Sequence, residues 1–166
     1  MDTFQQIASK IQSIEQSNKT IENWRKEKET IVFTNGCFDL LHLGHIDYLT
    51  KAKDLGSKLI IGVNSSQSVT RLKGPTRPIN STETRAFMLA AFKFVDLVVI
   101  FEDDTPIDLI SNIKPNILVK GGDYTLETVV GAKEVMKYGG DVKIIPFLEG
   151  FSTTSIVTKI QSFSRS

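Results

Sequence analysis

Cysteine and histidine are nearly missing from this chain: one and two, respectively, in 166 residues. A single thiol excludes an internal disulfide framework, and so few imidazole and thiolate groups leave little from which to build a zinc cage. A surplus of charge is also missing. Twenty Lys and Arg face 19 Asp and Glu, for a formal net charge of +1. Such a chain has no basic excess with which to neutralise a run of phosphates, so no nucleic-acid partner is expected. No apolar run approaches the roughly 18 to 20 residues of a membrane span. Residues 1–16 also lack the apolar centre of a secretory signal. The expectation is a cytoplasmic protein with no membrane partner. What is present, 40% hydrophobic and 23% charged residues in 18.5 kDa, suffices for the core of one domain with a short appendage.

The pattern changes near residue 29. Before it, Phe4, Ile7, Ile11 and Ile14 recur at helical spacing, and Ile21 to Trp24 extends the stretch. Residues 1–29 are therefore expected to form a helical extension that covers a sheet edge or a partner subunit. They hold no cluster of chemically active side chains. Residues 30–166 read as one α/β domain. Five short apolar or β-branched runs, 30–34, 58–63, 96–101, 116–120 and 142–147, have the composition of strands buried on both faces. Helix-length segments lie between and after them, at 44–55, 81–93, 106–113, 126–138 and 153–163. Asn80 is the expected N-cap of the second, with Glu83 three residues on. Strands alternating with helices predict a Rossmann-like, five-stranded parallel sheet with helices on both faces. The ligand then belongs at the carboxyl ends of the strands, where strand order reverses.

The segment Thr34-Asn35-Gly36-Cys37-Phe38-Asp39-Leu40-Leu41-His42-Leu43-Gly44-His45 lies at that place, between the first strand and the first helix. Both histidines of the chain are in it, three residues apart, so they share one face of a helical turn. A helix N-terminus offers free N–H groups and a positive dipole end to phosphates. Gly36 permits a sharp turn and Gly44 a close approach of ligand to backbone. Two imidazoles there can donate to phosphate oxygens. The plainer reading is a pair of polar residues capping a helix, but both histidines of the chain falling in one four-residue window favours function. A zinc site would need a third ligand, with Cys37 or Asp39 the sole neighbours, so no metal held by protein side chains is expected. Neither G-x-x-x-x-G-K-[ST] nor G-x-G-x-x-G after the first strand occurs.

The His-Leu-Gly-His segment resembles the H-x-G-H signature of the nucleotidyltransferase superfamily that includes cytidylyltransferases and adenylyltransferases. Gly150-Phe151-Ser152-Thr153-Thr154 is similar to its second hallmark, an S-T-T segment at a helix start. Arg71-Leu72-Lys73-Gly74, Arg77-Pro78, the segment 101–106 and Val119-Lys120-Gly121-Gly122-Asp123-Tyr124 narrow the likeness to the adenylyltransferase domain of ADP-heptose synthases. The resemblance spans residues 31–160. It implies transfer of AMP from ATP to D-glycero-β-D-manno-heptose 1-phosphate, with Mg²⁺ accompanying ATP, in a homodimer. It assigns catalysis to His42, His45 and Lys73. Nucleotide contacts fall to Thr34, Asn35, Gly36, Phe38, Gly44, Lys120, Gly121, Gly122, Asp123, Ser152, Thr153 and Thr154, and sugar-phosphate contacts to Asp39, Lys73 and Arg85. Arg71 and Arg77 stay open. Lys73 is expected on a loop after the second strand. Glycerol-phosphate cytidylyltransferases carry an Arg-Thr before the Gly-x-Ser-Thr-Thr segment. This chain has Pro146-Phe147-Leu148-Glu149 there, which weighs against CTP. The alternatives are a CTP-dependent polyol-phosphate enzyme and a nucleotide-binding module without turnover.

Overall fold

A computed structural model describes residues 1–163. Its centre is a parallel sheet of six strands rather than five: β1 (Ile11–Gln12), β2 (Ile31–Gly36), β3 (Lys58–Asn64), β4 (Leu97–Phe101), β5 (Ile117–Gly121) and β6 (Asp141–Ile145). Their order is β1-β4-β3-β2-β5-β6. The five expected strands are all present. The sixth comes from the extension, where Ile11 and Gln12 pair with Val98 and Val99 along the edge of β4. Helical spacing of the apolar residues concealed it. The extension is helix α1 (Thr3–Ser9), the two-residue strand, then α2 (Ile14–Lys26). Asp2 and Ser13 each close a capping box on the helix that follows, so two separate N-termini interrupt what reads as one periodic run. The extension does cover a sheet edge.

Strand side chains alternate between two cores, as the period of two requires. Ile31, Phe33, Ile60, Leu97 and Val99 face α2, α6 (Ile107–Ile113) and α7 (Ala132–Lys137). Val32, Leu59, Ile61, Val63 and Val98 face α3 (Leu43–Lys53) and α5 (Thr82–Ala90). Helices thus cover both faces, and the strands between them read as the near-continuous apolar runs seen in the sequence. Strand order reverses at β2, which has β3 on one side and β5 on the other. The crevice outside the carboxyl ends of β2 and β5 is the switch point of the sheet.

Three helical expectations are corrected. Ser65 caps an unexpected helix, α4 (Ser66–Lys73), a short polar segment with Val69 and Leu72 as its apolar residues. Lys73 is therefore the last residue of a helix, not a loop residue. The N-cap of α5 is Ser81, whose hydroxyl accepts from the Thr84 N–H, and Asn80 instead donates its side-chain amide to the Asp39 carbonyl. The expected helix at 126–138 is reduced to α7, because Gly131 has φ +86° and residues 125–130 form turns ahead of it. The last helix, α8 (Thr153–Phe163), starts at the expected residue.

Candidate active site

The ends of β2 and β5, the first turn of α3, the end of α4 and the start of α8 surround one cleft of about 400 Å³. Among the sequence-predicted residues, Asn35, Gly36, Phe38, Asp39, His45, Lys73, Lys120, Gly121 and Thr153 line it. His42 is the N-cap of α3 and offers no side-chain cap bond. Its ring stacks on His45 with centroids 3.9 Å apart and planes 30° from parallel. The Nδ1 atoms of both rings are buried and have no hydrogen-bond partner among the described residues. Of the two rings only His45 lines the cleft, where a ligand can satisfy it, and His42 stacks on it from outside that lining. Gly44 makes the stack possible: a Cβ there would lie 3.0 Å from His42 Nδ1 and 3.2 Å from Phe151 Cβ.

Burial, then the neighbouring His42 and Lys73, push the His45 pKa down to about 4, and burial lowers that of His42 as well. Both rings are neutral at pH 7, and each has one N–H to donate. Lys73 influences His45 electrostatically and ends its helix at Gly74, whose φ of +95° turns the chain. Across the switch point, the Lys120 ammonium lies 3.5 Å from Asn35 Oδ1 and over the Tyr124 ring at 5.8 Å from its centroid. Burial lowers its pKa. Thr34 is buried beneath the cleft, where its hydroxyl meets the Tyr48 hydroxyl at a 2.5 Å separation. Tyr48 also donates to the Val119 carbonyl at 3.3 Å, which ties α3 to β2 and β5. Burial raises the Tyr48 pKa, so it serves as a neutral tie.

Two residues expected at the sugar phosphate are engaged by partners within the protein. Arg85, expected at the sugar phosphate, is fully buried, and its guanidinium is bonded to the carbonyls of Cys37, Asn64 and Asn80. Asp39 borders the cleft, but its carboxylate accepts from Arg77 at 2.7 Å and from the N–H groups of Ile79 and Asn80. It anchors the 74–80 loop. Arg77, left open by the sequence, is its counterion, and Arg71 pairs with Asp104 and the Glu102 carbonyl. Gly122 follows β5 with φ +111°, and Asp123 is exposed beyond it. Ser152 caps the first turn of α8 by accepting from the Ser155 N–H. Thr153 reaches the Leu40 carbonyl at 3.4 Å, and Thr154 is exposed on the same turn. Among the described residues no group of three or more His, Cys, Asp or Glu is placed to hold a metal ion.

The family model of cytidylyltransferase-like proteins matches residues 33–159. The chain belongs to that family. It is a nucleotidyltransferase domain. A curated relative, the bifunctional protein HldE of Syntrophotalea carbinolica, is 53% identical over 152 residues, which is 92% of this chain and 31% of the relative. The HldE protein of Methylobacillus flagellatus is 47% identical over 155 residues, 93% of this chain and 32% of that one. The domain thus spans about a third of the length of these relatives. Among solved structures, a lipopolysaccharide core biosynthesis protein from Thermoplasma volcanium superposes with TM-score 0.58 at 30% identity, covering 72% of this chain and 97% of its own. A pantoate-β-alanine ligase from Francisella tularensis shares the fold alone, with TM-score 0.60 at 20% identity over 94% of this chain and 79% of its own.

Five cleft residues of the nucleotidyltransferase domain escape a motif reading: Tyr48, Asn64, Thr128, Val130 and Phe147. Two carried a usable signal. Tyr48 is three residues beyond His45 on the same helical face, and Phe147 is two residues beyond β6, at a strand end where ligands collect. The Phe147 ring lies over the glycine pair, where a Cβ on Gly121 or Gly122 would come within 2.6 or 2.8 Å of it. No described helix is long and apolar enough to cross a membrane.

Proposed function

We propose that this domain transfers AMP from ATP to D-glycero-β-D-manno-heptose 1-phosphate, releasing pyrophosphate. One observation carries the reading of the reaction: His45, stacked on His42 and with its Nδ1 unpartnered among the described residues, shares a switch-point cleft with Lys73 and Lys120. The choice of substrates rests on the segments Arg71 to Gly74 and Lys120 to Tyr124, which resemble heptose adenylyltransferases, and on the lack of an arginine before Gly150.

The attacking sugar phosphate is largely dianionic at neutral pH, since its second pKa is about 6. No base has to remove a proton. One of its oxygens attacks the α-phosphorus in line, a new P–O bond forms, and the bond to the α–β bridging oxygen breaks. Pyrophosphate carries away the electron pair. The protein then has to align two anions and stabilise charge as it shifts to the leaving group. His42 and His45, neutral and fixed by their stack, donate to phosphate oxygens. Lys73 and Lys120 add positive charge on the two sides of the cleft. Mg²⁺ enters with ATP as part of the substrate and neutralises part of its charge. The Lys120 to Asp123 turn and Phe147 offer a flat apolar surface and backbone groups to a base. The domain acts as a homodimer, which sedimentation velocity would test.

The deciding experiment is pyrophosphate release with ATP and CTP, each paired with heptose 1-phosphate and with glycerol 3-phosphate. A site built to pair one polar base edge rejects another by about 10⁴ in kcat/KM. ATP with heptose 1-phosphate should be the best pair by such a factor. If CTP with glycerol 3-phosphate wins, the substrate assignment fails. If nucleotide binds but no pair releases pyrophosphate, the domain is a binding module.

A further inference from the structure

We infer that Arg85 is a positioning residue for phosphate transfer, acting through the turn at Cys37 and Phe38 on the His45 ring. The inference takes its reaction from the reading above. Arg85 has no exposed surface. Its Nη1 donates to the carbonyls of Cys37 and Asn64, both at 2.7 Å. Its Nε donates to the Asn80 carbonyl at 3.1 Å, and Nη2 reaches the Thr82 hydroxyl at 3.3 Å. None of these partners is a carboxylate. The nearby Asp39 carboxylate is already occupied by Arg77 and two backbone N–H groups.

A buried charge that bonds to dipoles alone, with Asp39 and Glu83 acting on it only through space, is a poor device for stability, because a well-packed apolar side chain of similar volume usually does as well. What the guanidinium does supply is geometry. Its planar fork joins the turn after β2, the end of β3 and the loop before α5. The residue after Cys37 is the sensitive one. Phe38 has φ +47°, a left-handed conformation that a bulky side chain adopts only when its surroundings impose it. In that conformation its ring lies 3.0 Å from the place of a Cβ on Gly36, and 5.4 Å from the His45 ring, tilted by 57°. His45 in turn stacks on His42. The Cys37 carbonyl that Arg85 grips is therefore the first link of a packed chain ending at the two imidazoles.

Arg85→Lys keeps the charge but replaces the fork with one compact nitrogen that cannot span these carbonyls. Turnover and the His45 ring titration, read by NMR in the ligand-free protein, test the inference together. In the folded variant, kcat should fall about 100-fold, the loss typical of a misplaced reacting geometry, while both KM values stay within about threefold. The His45 midpoint should rise from about 4 toward 6.5 as its cover loosens, with His42 and Lys73 still beside it. A lower unfolding temperature with unchanged kcat would mean that Arg85 serves stability alone and would overturn the inference. An unmoved His45 titration in the folded variant overturns it as well. Lack of turnover by the unmodified protein refutes the proposed reaction and leaves the titration to decide the Arg85 link. If Arg85→Lys does not fold, Phe38→Leu decides, because it strips the ring from His45 and leaves Arg85 in place. It should reproduce the kcat loss and the shifted titration, and wild-type values there overturn the inference.

Discussion

The His45 pKa is pushed down to about 4, because its ring is buried and has His42 and Lys73 beside it. In the unfolded chain the same ring titrates near 6.5, so between these values the unfolded state binds more protons. The contribution of His45 to stability is therefore complete above pH 6.5 and declines as pH falls toward 4. Urea midpoints should drop between pH 7.5 and pH 4.5 by more in the wild type than in His45→Gln, and equal drops would contradict the burial of this ring. His45→Ala should reduce kcat by about 10² to 10³, the usual loss for one preorganised donor at a developing oxyanion. ATP affinity should change far less. A raised KM with normal kcat would instead make His45 a ground-state ligand. Gly44→Ala separates propensity from packing. Alanine normally gains about 1 kcal/mol over glycine inside a helix, but here the new methyl lands 3.0 Å from the His42 ring. Activity should fall while thermal stability does not follow it down, and an unimpaired enzyme would show that the stack tolerates displacement.

At the scale of elements, capping decides more than periodicity. The extension has apolar residues at helical spacing throughout, yet Asp2 and Ser13 start two helices and leave Ile11 and Gln12 to pair with β4. Helix α4 was hidden for the opposite reason: it buries only Ser68 and Val69, so its apolar stripe is too thin to read. Its consequence is functional, since it places Lys73 on a rigid element beside the histidines. For α5 the cap shifted by one residue, because Asn80 was claimed by the Asp39 carbonyl. Ser81 then accepts from the Thr84 N–H at 3.2 Å. Ser81→Ala should cost about 1 kcal/mol, as the loss of a serine cap typically does. Chemical denaturation would measure it, and no loss would indicate that Asn80 can resume the capping role.

For the whole molecule, every active group is brought to one end of the sheet. Strand ends supply Asn35, Gly36, Lys120 and Gly121, while helix ends supply Lys73, Thr153 and His45, on which His42 stacks. Such a site has donors and cations suited to phosphates. Turnover should require Mg²⁺, which the triphosphate brings with it. Metal analysis of the purified protein should find zinc well below one equivalent per chain. A full equivalent, lost together with activity on chelation, would reassign His42 and His45 as metal ligands.

The sequence by itself determined the class of fold and the centre of the site. Five apolar runs separated by helical segments leave a parallel, doubly covered sheet as the simplest arrangement, and paired histidines at a strand-to-helix turn mark its ligand end. These signals are local, written in neighbouring residues. Tertiary structure decided what depends on partners distant in the chain. Arg85 and Asp39 are charged residues near the motif, and nothing in their neighbours reveals that backbone carbonyls and Arg77 would occupy them. Tyr48 and Phe147 join the cleft because the sheet brings the ends of β2, β5 and β6 together. The sixth strand exists because β4 offers an open edge to which Ile11 and Gln12 can bond. A hydrogen bond between residues far apart in sequence leaves no periodicity behind, so only the folded chain shows which side chains are free to meet a ligand.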